Sequence, residues 1–406
     1  SEQAFDEMSK ILICKLNEEK NAVDHKQENR FFLEKVESWG PLVAINNLFE
    51  DAKKTFKGVF PLLPVYEKIN IRNDFTIKEI TKLLEPFAIY GAGEDIKWAV
   101  YETFLSGTLR GELGQYFTPR EIVSFMVELL DPKVGEKILD PAVGSGGFLI
   151  HSFLNVRRKI GALPILEEQK KAYGKSLIKD CLWGIDINPR LITLCKINLI
   201  IHGDGYNHIY IGDSLRQDTF NDTTQELPTI EELLKKEQPP APVKLEENTF
   251  NVILTNPPFN LPILDQAILN RFTLGQGRKS QGSDILFLEL CIKLLAPNGR
   301  LGIVLPWGIL NLPTFDYVRK KILNECIVEA IVSLPEGAFI PFGQSHAKTC
   351  ILYARKKSAE NKEQKDVFGA ITQSVGYDHR RKHYRKIEAN DLPEILLSYR
   401  KFAKES

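Results

Sequence analysis

From Lys137 onward the chain repeats one pattern, in which a short β-branched run is followed by a turn signal and then by a segment of helical periodicity. Such alternation is typical of βαβ units, whose strands pair in parallel within one sheet. The predicted strands are residues 137–139, 181–185, 209–211, 250–255, 301–305, 327–334 and 349–354. No obvious helix separates the last two, which are therefore predicted to pair antiparallel at one edge of the sheet. The sequence predicts an α/β fold with a seven-stranded, doubly wound sheet.

Residues 1–110 follow a different pattern, with helical periodicity and no strand alternation. One apolar stripe contains Phe5, Met8, Ile11, Leu12 and Leu16. We therefore expect a helical domain at 1–110, the α/β domain at 111–357 and a partly helical C-terminal extension at 358–406. The polar, proline-interrupted stretch 215–249 is expected to be an insertion in the α/β domain.

The charge balance narrows the class of protein. There are 53 Lys and Arg residues and 53 Asp and Glu residues, so the formal net charge is zero, unlike that of a free-standing basic nucleic-acid binder. No apolar run approaches the ~18 residues that span a bilayer, and the N-terminus lacks the pattern of a signal peptide. The six cysteines occur singly, without zinc-binding or redox spacing. We expect a cytoplasmic protein with buried free thiols, no metal and no membrane contact. Its initial Ser suggests an excised fragment.

The first motif with chemical meaning is DPAVGSGGF at 140–148, a glycine-rich turn between a predicted strand and a helix. Glycines allow a sharp turn and close approach to a ligand, and the helix that follows offers unpaired N–H groups and the positive end of its dipole. The turn therefore predicts a site for a small anionic or zwitterionic cofactor. The residues assigned to this site are Asp140, Ala142, Gly144, Ser145, Gly146 and Gly147.

Two acidic residues follow at the ends of the next two predicted strands. In a doubly wound fold, Asp186 is placed to accept hydrogen bonds from both hydroxyls of a ribose. The alternative is an acid that stabilises the N-terminus of the next helix. Asp213 repeats the geometry one strand over, where a carboxylate suits an adenine amino group.

The sharpest motif consists of Asn256, Pro257, Pro258 and Phe259, directly after the strand-like run FNVILT. Two prolines hold the backbone extended, so the Asn256 side chain and the Pro257 carbonyl are presented as paired acceptors. Paired acceptors suit an exocyclic amino group, and the Phe259 ring offers a stacking face for a planar base or amide. A turn that merely ends the strand is the alternative interpretation.

Together with GQYFTPR at 114–120, these motifs resemble the DNA adenine-N6 methyltransferases, specifically the modification subunits of type I restriction-modification systems. The opening FDEMSKILICKL and the segment PEGAFIPFGQSHAKTCILYARKK are also similar to parts of those subunits. The resemblance implies a Rossmann-like S-adenosylmethionine-dependent methyltransferase domain of seven strands, preceded by an α-helical domain. It also implies transfer of a methyl group from S-adenosylmethionine to a flipped-out adenine of double-stranded DNA.

The resemblance assigns a role to each motif. Ser145 to Gly147 and the segment before the glycine loop would line the methionine moiety of the cofactor; that segment contains Gln115, Tyr116, Phe117, Thr118, Pro119 and Arg120. Asp186, where Glu is at least as usual in the family, would hold the ribose, and Asp213 would lie near the cofactor adenine. Asn256 and Pro257 would hold the target amino group, and Phe259 would stack on the base. No metal or covalent nucleophile is implied.

Recognition of a DNA sequence needs a surface that the chain does not obviously contain, because no helix-turn-helix, zinc finger or long basic stripe is present. The resemblance implies a specificity subunit or a fused target-recognition module, toward which the C-terminal extension would lead. An endonuclease subunit is a further candidate partner. Two segments are candidates for DNA contact: the basic cluster 379–386 and the loop 260–283, which carries Arg271, Arg278 and Lys279.

Three other functions use similar motifs. A protein-glutamine N5 methyltransferase acts on an amide NH₂ group with the same Asn-Pro-Pro-aromatic motif. The chain length, the GQYFTP segment and the helical domain count against this function. A catalytically silent scaffold of a restriction complex is disfavoured by the intact motifs. Methyl transfer to N4 of cytosine is chemically close, and Asn at position 256 only modestly favours adenine.

Overall fold

The computed structural model describes residues 2–61, 63–93, 97, 118–203, 205–216, 245–342, 347–380 and 384–405. The chain divides into two compact units. One is formed by the described residues of Ser1–Gly114 and Asn188–Asp204, and the other by those of Gln115–Ile187, Gly205–Phe220 and Val243–Ser406. The helix within 188–204 therefore groups with the N-terminal helices, although it follows a strand of the sheet in sequence. Gln115, Tyr116 and Phe117 lie outside the described residues, as does most of the expected insertion.

Helices of the described residues are numbered here in chain order. They are α1 (Glu2–His25), α2 (Leu33–Ser38), α3 (Pro41–Thr55), α4 (Asp74–Leu84), α5 (Arg120–Leu130), α6 (Gly147–Ala162), α7 (Glu167–Ser176), α8 (Pro189–His202), α9 (Gln266–Leu269), α10 (Ser283–Leu294), α11 (Trp307–Asn311), α12 (Asp316–Glu325) and α13 (Leu392–Glu405). None of them is long and apolar enough to cross a bilayer.

The helical unit is organised around α1. The predicted stripe is largely correct, because Phe5, Ile11, Leu12 and Leu16 are buried. Carboxylates on the same helix are buried too, and they accept hydrogen bonds from loop backbone: Glu19 Oε2 accepts from the N–H groups of Ile89 and Tyr90 at 2.8 and 2.7 Å. A buried carboxylate needs such donors, so α1 anchors the loops of its unit as well as its core.

The strands are β1 (Ile138–Asp140), β2 (Leu182–Asp186), β3 (His208–Ile211), β4 (Phe250–Thr255), β5 (Pro262–Ile263), β6 (Gln281–Gly282), β7 (Leu295–Pro306), β8 (Cys326–Ser333), β9 (Thr349–Lys356), β10 (Phe368–Ile371), β11 (Val375–Tyr377) and β12 (Lys386–Asn390). The main sheet has the order β10-β8-β9-β7-β4-β1-β2-β3. All its neighbouring pairs are parallel except the two that β9 forms, with β7 and with β8.

All seven predicted strands are present, but the strand count was wrong, because the described residues form a sheet of eight strands. The extra strand, β10, comes from the C-terminal extension and pairs in parallel with β8. The antiparallel pairing of β8 and β9 is confirmed, but β9 is inserted between β7 and β8 and β10 covers β8, so the pair does not form the edge of the sheet. All six cysteines are buried and free, as predicted.

The parallel strands bring the sequence motifs to one edge of the sheet. β1, β2 and β4 run in the same direction, and they end at Asp140, Asp186 and Thr255. The glycine loop, the next strand-end acid and Asn256 therefore leave the sheet at its carboxyl edge, where ligands of doubly wound sheets bind. Helix α10 is buried over almost its whole length and belongs to the hydrophobic core that also contains residues of β1, β2 and β4.

Candidate active site

The glycine loop is tied to the end of β2. The Gly144 N–H donates to Asp186 Oδ2 at 3.0 Å, and the Val143 N–H donates to the Ile185 carbonyl at 2.9 Å. Gly144 and Gly146 have φ values of 53° and 91°, in the left-handed region that favours glycine. Gly146 is also the N-cap of α6, whose first N–H groups lack partners within the helix. The loop and Asp186 thus form one unit.

Asp140 lies under this loop. It is 1% exposed, and its Oδ1 accepts a hydrogen bond from the Ala142 N–H at 3.1 Å. Burial raises the pKa of the Asp140 carboxyl to about 7, and the charge of Asp186 adds to that shift. Asp140 therefore shapes the first turn of the loop from beneath, and direct contact between its carboxyl and a cofactor remains a prediction.

Residues that follow β3 form hydrogen bonds with the ends of β1 and β2. The Gly212 N–H donates to the Asp186 carbonyl at 3.0 Å, and the Ser214 hydroxyl donates to the Pro141 carbonyl at 2.6 Å. Asp213 Oδ1 accepts from the Leu215 N–H at 3.0 Å. The ends of β1, β2 and β3 are therefore joined directly by hydrogen bonds. Ser214 was not predicted as a site residue, and its only signal in the sequence is its position after a strand-end acid.

Asn256 meets the described end of the GQYFTPR segment. Its Nδ2 donates to Thr118 Oγ1 at 3.1 Å. Its Oδ1 is buried and has no hydrogen-bond partner among the described residues. A buried acceptor of this kind is costly unless something else satisfies it, so it requires an explanation. Two motifs that are distant in the sequence therefore meet at one side chain, whose oxygen is available to a ligand.

Phe259 packs edge-on against Phe339. Their ring centroids are 6.2 Å apart and the ring planes are inclined at 78°, an arrangement that aromatic pairs favour. Phe339 is 1% exposed, whereas Phe259 is only partly buried. The buried ring therefore fixes the plane of the partly exposed one. Phe339 is another residue of the site that the sequence analysis did not identify.

The structure describes the whole of the loop 260–283 and part of the basic cluster 379–386. Arg278 and Lys279 are exposed, and the guanidinium of Arg278 lies 4.0 Å from the centre of the Tyr317 ring. In the basic cluster, the Tyr384 hydroxyl donates to Glu121 Oε1 at 2.7 Å, next to the end of the GQYFTPR segment. Residues 381–383 lie outside the described part of the chain. DNA contact by either segment remains a prediction.

Comparison with known sequences identifies relatives. Residues 93–406 match the family described as N-6 DNA Methylase. The EcoEI methylase subunit, a type I restriction enzyme subunit of Escherichia coli, is 32% identical over 248 residues, which are 61% of this chain and 43% of that protein. The HindI methylase subunit of Haemophilus influenzae is 27% identical over 320 residues, 76% of this chain and 60% of that protein. The chain spans about half the length of the curated relatives it matches.

Solved structures share the fold. A chain from a study of complex assembly in a type I restriction-modification system aligns with a TM-score of 0.62 and 19% identity, over 98% of this chain and 78% of that one. A Listeria monocytogenes chain classed as a class I S-adenosylmethionine-dependent methyltransferase aligns with a TM-score of 0.53 and 17% identity, over 91% of this chain and 94% of that one. The predicted fold class is thereby confirmed, with eight strands instead of seven.

Proposed function

Because the chain belongs to the N-6 DNA methylase family, we propose that it is the catalytic part of a DNA methyltransferase of the type I restriction-modification kind. The substrate is N6 of an adenine in double-stranded DNA, and the methyl donor is S-adenosylmethionine. The observation that carries this proposal is the buried Oδ1 of Asn256, which follows a central strand and has no hydrogen-bond partner in the part of the chain that the structure describes.

The acceptor chemistry of the NPPF motif (256–259) supports an amino group as the substrate. The Asn256 oxygen and the Pro257 carbonyl accept one hydrogen bond each from an exocyclic NH₂ group. That group's lone pair is normally delocalised into the base, and two acceptors on its N–H bonds favour a tetrahedral nitrogen with the lone pair free to attack. Catalysis of this kind rests on positioning and electrostatics. An adenine must leave the duplex to enter such a pocket, and Phe259 would stack on the flipped base.

The residues at the carboxyl edge fit S-adenosylmethionine, which supplies the sulfonium methyl group when bound. The left-handed glycines and the N-terminus of α6 leave room and N–H groups for its zwitterionic end. Asp186, oriented by the Gly144 N–H, suits the ribose hydroxyls, and Asp213 suits the adenine amino group. We assign the predicted segment from Gln115 to Arg120 to the methionine end.

The expected partners follow from the same proposal. Double-stranded DNA is the substrate, and a specificity subunit or fused target-recognition module selects the site. An endonuclease subunit is a third candidate, and the cytoplasm is the proposed location. The family match concerns DNA methylases, so a protein-glutamine N5 methyltransferase is not favoured. A silent scaffold is likewise not favoured, because the chain contains both the glycine loop and the NPPF motif and belongs to a family of DNA methylases.

The test is an Asn256→Ala variant of the full protein, assembled with its specificity module. We expect methyl transfer to fall at least a hundredfold while the affinity for S-adenosylmethionine, measured by isothermal titration, stays within about twofold. Asn324→Ala is the matched control, because Asn324 is exposed on α12. An Asn256→Ala variant that transfers methyl groups at the parent rate would contradict the assigned role.

A further inference from the structure

The backbone of the NPPF motif has little means of holding itself in place. Pro257 and Pro258 have no N–H group, so this stretch offers mainly carbonyl acceptors. Asn260, two residues after Pro258, has a φ of 52°, in the left-handed region that non-glycine residues rarely adopt. A segment that must present two acceptors with accuracy therefore depends on side chains from another part of the chain.

Ser283, the first residue of α10, supplies one of those side chains. Its hydroxyl donates to the Pro258 carbonyl at 2.6 Å, and its own N–H donates to the Leu261 carbonyl at 2.9 Å. Ser283 is 1% exposed, so water does not compete for these hydrogen bonds. The two bonds hold the chain on either side of the left-handed residue.

Asp284 supplies the second side chain that supports the backbone of the NPPF motif. Its Oδ2 accepts from the Asn260 N–H at 3.3 Å, and its Oδ1 accepts from the Ile285 N–H at 3.0 Å. One carboxylate therefore joins the turn after the motif to the first turn of α10. Asp284 is 2% exposed and packs so closely that a Cβ atom on Gly282 would lie 2.6 Å from Oδ1. The carboxylate therefore lies directly against the backbone of Gly282.

The contact continues as a small antiparallel sheet. Pro262 pairs with Gly282, and Ile263 pairs with Gln281, as β5 and β6. Since α10 is buried in the core, the pair of segments is anchored on one side. The motif is thus tied to a rigid element through Ser283, Asp284 and this strand pair.

We propose that Ser283 and Asp284 are positioning residues, which fix the backbone of residues 257–260 so that the Asn256 oxygen and the Pro257 carbonyl point at the same amino group. The expected effect on the rate of methyl transfer rests on the proposed function, whereas the expected effect on the backbone of residues 257–260 does not. Ser283 and Asp284 lie outside the predicted cofactor-binding residues and do not carry the two acceptors. Their effect is expected on the rate of transfer and not on cofactor affinity.

The test uses Ser283→Ala, Ser283→Thr and Asp284→Ala in the full, assembled protein. Ser283→Ala removes one hydroxyl from a buried helix start and leaves the rest of the fold in place, whereas Ser283→Thr keeps the hydroxyl. We expect kcat to fall about tenfold to a hundredfold in Ser283→Ala and Asp284→Ala, with S-adenosylmethionine affinity within about twofold, and Ser283→Thr to recover most of the rate. Ser38→Ala is the control, because the Ser38 hydroxyl also donates to a backbone carbonyl but is exposed.

Hydrogen exchange separates this inference from the proposed function. We expect the amides of residues 259–261 to exchange about tenfold faster in Ser283→Ala than in the parent, whether or not the parent methylates DNA. A parent that transfers no methyl group would refute the proposed function alone. Unchanged exchange in Ser283→Ala would overturn the positioning role, as would a parent-like kcat, or an equal loss of cofactor affinity and rate.

Discussion

Asn256 donates from Nδ2 to Thr118 Oγ1 at 3.1 Å, and its Oδ1 remains buried without a partner among the described residues. The amide is therefore oriented by its nitrogen, and its oxygen is the atom that a substrate amino group would meet. Thr118 belongs to the segment predicted to line the cofactor, so this contact links the predicted cofactor site to the predicted base site.

Thr118→Val should weaken catalysis without affecting the fold, because valine keeps the shape of threonine but offers no acceptor to Asn256 Nδ2. Loss of one hydrogen bond of about 1 kcal/mol predicts a decrease of roughly fivefold in kcat. Single-turnover methyl transfer with the assembled protein measures it. A Thr118→Val rate equal to that of Thr118→Ser and of the parent would show that the contact does not orient the amide.

Gly146→Ala should reduce the affinity for S-adenosylmethionine. The residue has a φ of 91°, where an L side chain costs about 1 to 2 kcal/mol, and it begins the helix whose N–H groups face the proposed site. The control is Gly161→Ala at the other end of α6, where a Cβ atom meets nothing within 4 Å. Isothermal titration should show weaker S-adenosylmethionine binding in Gly146→Ala but not in Gly161→Ala. Equal affinities in the two variants would remove the glycine loop from the cofactor site.

The raised pKa of Asp140 predicts that the stability of the folded protein depends on pH. Burial raises the pKa of its carboxyl from the ordinary value of 3.8 to about 7, so the folded state binds the proton more tightly than the unfolded state does. The stabilisation from protonated Asp140 is complete below pH 3.8 and is lost as the pH rises to 7.

Asp140→Asn should abolish this dependence. Between pH 5 and pH 8 the free energy of unfolding of the parent should fall by up to roughly 2 to 3 kcal/mol relative to the variant. Urea unfolding of both proteins at the two pH values measures the difference. A difference between parent and variant that is the same at pH 5 and pH 8 would contradict the raised pKa.

Lys279→Ala should weaken DNA binding if the loop 260–283 contacts phosphates. Lys279 is exposed, whereas the neighbouring Arg278 is partly engaged by the Tyr317 ring. Loss of one phosphate contact predicts a decrease of about 1 in the slope of log K against log salt. Fluorescence anisotropy with the assembled protein measures the slope, and Lys320→Ala on α12 is the control. Identical slopes for parent and Lys279→Ala would exclude the contact.

The sequence predicts the central strands well, because each is a short apolar run bounded by turn signals. The run 250–255 and strand β4 (Phe250–Thr255) coincide, and the strand-end motifs therefore meet where parallel strands require. The edge strand β10 lies in the apolar stretch 367–375, which has no clear alternation of apolar and polar residues and was therefore not predicted as a strand. Its place depends on pairing with β8, which no local pattern encodes.

The supporting contacts of the site were not predictable from the sequence. Thr118 and Asn256 are 138 positions apart, and Ser283 and Pro258 are 25 apart. A single hydroxyl or carboxyl in a polar loop or at a helix start has no periodicity, and many such residues are merely solvated. Only the fold brings Ser214, Ser283 and Asp284 to the backbone groups they bind.

The most direct test of the central claim is identification of the product. DNA containing the recognised sequence is incubated with the full, assembled protein and S-adenosylmethionine, digested to nucleosides and analysed by mass spectrometry. We predict N6-methyl-2′-deoxyadenosine as the new nucleoside, present with the parent and absent with Asn256→Ala. N4-methylcytosine as the product, or no methylated nucleoside from a parent that binds both cofactor and DNA, would contradict adenine-N6 methylation.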